Sequence, residues 1–196
     1  MANRSYLYTS EHLPGSPECE KDGDLHSIAE WNYDIPLVFK LLLTGNPIAV
    51  ESSIWEVSEK IAVAGEFESG LNALETYLKR LPSEAEPLIK EAREFLSKTS
   101  NQRRYFILEC GEIFEMEEYP LEESNQILLE EIRELGNQIT KIDVPKAIRV
   151  EPPKQSFFGK LFGIKPEQPK LDPLEPFYDI GLGNWSNILY FQFGEE

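Results

Sequence analysis

The 196-residue chain is 41% hydrophobic and 28% charged, a balance that excludes the disordered and membrane classes and suits one unit burying roughly 70% of the surface its unfolded chain exposes. Thirty-five acids against nineteen bases leave a formal charge of −16, which repels nucleic-acid phosphates and anionic lipid headgroups and favours a basic protein as partner. Nucleic acid and membrane are therefore not expected as partners.

The two cysteines, Cys19 and Cys110, are far apart, and nothing at the N-terminus resembles a secretory leader; free thiols and a cytoplasmic address are expected. No apolar run approaches the ~20 residues a membrane helix needs.

Residues 3–10 (NRSYLYTS) alternate polar and apolar, with Tyr6 and Tyr8 on one side and Leu7 on the other, the pattern of a half-buried strand. Residues 11–27, rich in Pro, Gly, Ser and acid, read as a long loop. Pro36 opens and Gly45 with Pro47 closes a short buried helix. In 54–64 (IWEVSEKIAVA) the stripe Ile54, Val57, Ile61, Ala64 favours a helix over a poorly alternating strand. Phe67, Leu71, Leu74, Leu78 and Leu81 predict an amphipathic helix, and Leu88, Ala92, Phe95 and Leu96 a second, with Ser83 and Glu86 spaced as a capping box at its start.

Residues 103–110 (RRYFILEC) switch to alternation and predict a central strand. Leu121, Ile127 or Leu128, Ile132, Leu135 and Ile139 then mark a long helix with a glutamate-rich outer face. Between Lys141 and Lys170 the chain turns locally basic, net +4, and half of its 14 prolines fall in 145–176, which predicts a long irregular segment. Residues 184–194 (NWSNILYFQFG) alternate again and predict a terminal strand. The sum is an α+β fold in a single domain, 1–196: a small antiparallel sheet that includes both chain ends, packed against four or five helices.

Cys110 follows an apolar strand, a position where thiol enzymes present a nucleophile. Its neighbours Glu109 and Glu112 oppose thiolate formation, and both histidines lie in the N-terminal loop, so a buried structural cysteine on the face of Phe106 and Leu108 is expected. His12, Cys19 and His26, seven residues apart, lack the short paired spacing that fixes a zinc site. No metal, cofactor or catalytic residue is expected, although a small metal- or carboxylate-dependent enzyme using that loop is an alternative reading. GLGNW at 181–185 precedes a strand instead of opening a helix, and reads as a turn that admits positive φ.

Glu112, Glu115, Glu117, Glu118, Glu122 and Glu123 are the densest acid cluster in the chain. Some complement a helix dipole; the rest exceed what one helix end needs and are expected to form a contact surface for a basic partner. Trp31, Tyr33 and Trp185 are either aromatic anchors for that partner or core. The basic, phenylalanine-rich stretch 156–165 (SFFGKLFGIK) either docks a partner, as in a scaffold module, or folds back over the domain.

The stretches MANRSYLY, EWNYDIPL (30–37), YFILECGEIFEM (105–116) and WSNILYF (185–191) resemble a family of bacterial cytosolic proteins similar to immunity proteins found near polymorphic toxin systems. The resemblance implies a non-catalytic protein that neutralises a cognate toxin domain by direct binding.

Overall fold

The computed structural model describes residues 3–20, 24–148 and 172–191. Its sheet has five strands, β1 (Arg4–Ser10), β2 (His26–Asn32), β3 (Ile48–Val50), β4 (Ala62–Glu66) and β5 (Tyr105–Glu109), in the order β2-β1-β5-β4-β3 and antiparallel throughout. β5 is central, as its β-branched and aromatic run predicts. The register places Leu7 and Val63 on either side of Leu108, while Tyr8 and Ala64 flank Ile107. Because side chains alternate along a strand, the first row faces one layer of the protein and the second row the other.

The layer over Leu108 is helical. It comprises α1 (Leu37–Leu42), α2 (Phe67–Leu78), α3 (Glu86–Leu96), the single turn α4 (Gly111–Phe114), α5 (Leu121–Gln138) and the single turn α6 (Glu175–Tyr178). Phe39, Leu42, Leu74, Phe106, Leu128 and Ile132 form one cluster with Leu108 and Cys110, and each such side chain contributes about 1.5–3 kcal/mol by leaving water. Phe67 and Phe106 stack with ring centroids 4.5 Å apart. Gly70 lets α2 press against α1: a Cβ there would collide with the Leu42 carbonyl.

The opposite face, with Tyr6, Tyr8 and Ile107, is covered by irregular chain. Leu13 and Leu25 from the first loop, Ile54 from the loop before β4, and Leu189 and Phe191 from the tail close over it.

Four expectations change. β1 is buried on both faces, not half-buried, because irregular chain covers the side opposite the helices. Residues 54–61 are loop and 62–66 are strand, not helix. Ile61, Ala62, Val63 and Ala64 are all buried because both sheet faces are covered, and a continuous apolar run then loses the alternation that marks a strand. The capping box does not form. Ser83–Ala85 is a 3₁₀ turn in which the Ser83 hydroxyl turns to Glu84, and the helix starts at Glu86 with proline in its first turn, where the ring is tolerated.

Among the described residues the tail forms no strand. Trp185 makes one isolated bridge to Ala29, after which the Ser186 side chain bonds the Ile188 backbone and the Asn187 amide donates to the Ser27 carbonyl in place of a ladder. The alternation itself is kept, with Leu189 buried and Ile188 and Tyr190 outside. Most of the 145–176 segment lies outside the described residues, as does all of 156–165. The turn at 181–183 has the expected positive φ, 98° at Gly181 and 84° at Gly183.

Candidate functional site: an acidic strip beside the central strand

β5 delivers the chain to the site. Cys110 follows the strand and occupies the N-cap position of α4, whose Ile113 and Phe114 insert into the core. With those two residues anchored, the connector 115–120 is forced outward, and all six of its side chains are exposed. Pro120 then starts α5, with Glu122 and Glu123 in its first turn and Leu128, Leu129 and Ile132 holding its inner face.

The six predicted contact residues divide. Glu112 turns inward: its carboxylate accepts from the Arg4 backbone N–H and the Tyr6 hydroxyl, both at 2.9 Å. Burial first, and then this bond, push the Tyr6 phenol well above its ordinary range. Glu115, Glu117, Glu118, Glu122 and Glu123 are exposed and form no ion pair among the described residues. No lysine or arginine occurs between Arg104 and Arg133, so the strip's field is uncompensated along its own length. Met116, Tyr119 and Ile127 rise among these carboxylates, 48%, 55% and 50% exposed. The strip thus combines charge with apolar surface.

The three aromatic candidates lie along the β2 edge of the sheet. Trp31 and Trp185 are partly buried against the helical core, Trp185 stacked on Phe95 at 5.9 Å. Tyr33 is 63% exposed and sits at φ 63°, a left-handed conformation that costs a bulky residue about 1–2 kcal/mol.

The Cys110 thiol is 1% exposed, and burial, reinforced by Glu109, pushes it well above the usual cysteine range. The metal-loop candidates separate: His12 Nδ1 meets Asp24 at 3.1 Å, while His26 Nε2 meets Asn101 at 3.0 Å. Among the described residues no group of three or more His, Cys, Asp or Glu is placed to hold a metal.

One residue that sequence reasoning passed over is Glu109, a carboxylate only 1% exposed on the Tyr8 side of the sheet. The Ser52 hydroxyl and the Ser53 N–H each donate to it at 2.6 Å. These bonds tie the loop before β4 to the central strand, and burial together with Glu109 raises the neighbouring Tyr8 phenol. The sequence signal was a charged residue in an otherwise apolar strand, two positions from Ile107 and so on its face.

Fold and site define an α+β domain that presents an acidic, partly apolar surface. Residues 11–147, well over half of the chain, match the family described as "Domain of unknown function (DUF7822)", and the chain belongs to that family. The match excludes β1 and the tail but includes every residue of the acidic strip. No curated protein and no solved structure matches the chain. No helix among the described residues is long and apolar enough to cross a membrane.

Proposed function

We propose that the protein is a non-catalytic, cytoplasmic binding protein that engages a basic protein through the strip Glu115–Glu123. The observation that carries this reading is the set of five exposed carboxylates without cationic partners among the described residues, interleaved with exposed Met116, Tyr119 and Ile127. Carboxylates of one sign steer a cationic partner into encounter, and apolar side chains at their centre lose water on contact and slow its departure. The more particular form, an immunity protein that neutralises a cognate toxin domain, rests on the family resemblance of the four sequence stretches. It is compatible with a net charge of −16, because an acidic inhibitor is complementary to a basic cleft.

The test is co-purification with the product of the adjacent gene, followed by association kinetics. Reversing Glu117, Glu118, Glu122 and Glu123 to lysine is expected to slow association about tenfold or more at low salt, with the difference shrinking as salt rises. Unchanged association after reversal removes the strip as the contact surface, and absence of any complex removes the reading.

A further inference from the structure

β2 is an outer strand of the sheet, and the tail returns alongside it with a single bridge, Ala29 to Trp185, and one flanking backbone bond, Ser186 N–H to the Ile28 carbonyl at 3.0 Å. Toward the Asn32 end, strand and tail diverge and leave a groove of about 450 Å³, lined by Glu30, Trp31, Asn32, Asn184, Trp185 and Ile188 among others. Its apolar walls are two tryptophans packed from behind by the core, and Ile188, which is 80% exposed. Tyr190 and Tyr33 stand exposed close by in sequence. The lining includes one carboxylate, Glu30, which the Arg4 side chain meets at 3.4 Å and to which the Tyr190 backbone N–H donates at 2.7 Å, so the uncompensated charge of this surface lies in the strip.

The groove is physically continuous with the acidic side of the sheet. Glu112, at the head of the strip, accepts from the Arg4 backbone; the Arg4 side chain reaches Glu30 at 3.4 Å and lies 4.2 Å from the centre of the Tyr190 ring. An object spanning this surface would meet carboxylates at one end and tryptophans at the other.

We propose that the β2-edge groove is the anchoring half of this binding surface. It takes an extended, basic segment of a partner protein, with an apolar side chain lodged against Trp31, Trp185 and Ile188 and its lysines or arginines toward the strip. This rests on the strip being a partner-binding surface. Charge complementarity with the strip selects the occupant: a second copy would carry its own net charge of −16, whereas a basic segment is drawn to the strip's carboxylates. The rigid backing of Trp185 by Phe95 suits an anchor pocket, because a preorganised aromatic wall loses little freedom when it is covered.

The full chain with Trp55→Phe leaves Trp31 and Trp185 as its only tryptophans, so indole emission reports on the groove. The probe is a short synthetic peptide alternating lysine and leucine, compared with one alternating lysine and serine and one alternating glutamate and leucine. The lysine–leucine peptide is expected to shift the emission saturably and to bind about tenfold or more tightly than either comparison peptide, and Ile188→Asp is expected to weaken it by a similar factor. Ile188 is exposed enough that this change leaves the melting temperature in place, which is measured alongside.

Equal binding of the lysine–serine peptide, or no effect of Ile188→Asp, overturns the proposal, as does a dimer of the free chain that Ile188→Asp dissolves. The two surfaces separate on the natural complex. If reversing the strip carboxylates leaves it intact while Ile188→Asp disrupts it, the strip fails and the groove stands; the opposite pattern leaves the strip and removes the groove.

Discussion

At the scale of single residues, Glu109 is the most exacting position in the molecule. A buried carboxylate is tolerated only where donors meet it, and here the Ser52 hydroxyl and the Ser53 amide do so. Glu109→Ala removes the acceptor and leaves both donors buried, so it is expected to lower unfolding stability by about 2–3 kcal/mol. Glu109→Gln keeps one acceptor oxygen and is expected to lose less. Denaturant melts of the two variants check the order, and equal losses would mean that one remaining acceptor oxygen recovers nothing and that both carboxylate oxygens are required.

A second residue-scale prediction concerns acid. Glu75 receives two hydrogen bonds from the Arg93 guanidinium, at 2.8 and 2.9 Å, and these hold its carboxyl below the ordinary glutamate value. A carboxylate depressed in the folded state adds stability above its unfolded value, near 4.5, and loses that contribution as pH falls through the folded value. The stability difference between wild type and Glu75→Gln is therefore expected to be full at neutral pH and to shrink below about pH 4.5. Both side chains are partly exposed, so the difference is small and is best read from melting temperatures across a pH series.

At the scale of elements, α1 and α2 meet through a glycine. In a free helix Gly→Ala gains about 1 kcal/mol; at Gly70 the added methyl meets the Leu42 carbonyl, and forcing the helices apart costs about 1–3 kcal/mol. Gly70→Ala is expected to destabilise, and a thermal melt that rises instead would show that the two helices part freely.

Elements also explain what could be read from the chain alone. α2 and α5 were legible because each buries one face and exposes the other, which writes a period into the sequence; β1 and β5 are buried on both faces and were legible from polar residues alternating with aromatic and aliphatic ones. β4 was not, because Ile61 to Ala64 are buried throughout. β3, three residues long, is too short to carry a period. β2 contributes Ser27, Glu30 and Asn32 to a strand whose pairing comes from β1, a tertiary fact. Of the site, the acid cluster was legible as composition, but the inward turn of Glu112 depends on Arg4 and Tyr6, more than a hundred residues away. The convergence of Trp31 and Trp185 likewise depends on the tail returning beside β2.

At the scale of the whole molecule, the family match at 11–147 and the folding unit do not coincide. β1 lies outside the match and yet joins β2 to β5. A fragment of residues 11–147 is expected to lack a cooperative melt, and a synthetic peptide spanning residues 1–10, added in trans, is expected to restore part of it. Cooperative unfolding of the fragment alone would show that β2 pairs without β1.

The same strand sets a schedule for synthesis. Leu7 leaves the ribosome about a hundred residues before its partner Leu108, at 5–20 residues per second. Until then β1 holds at most a hairpin with β2, and one edge of the nascent sheet stays open to other chains. An exposed edge of this kind invites chaperone capture, so the interval between residues 32 and 105 is where folding in the cell is most vulnerable.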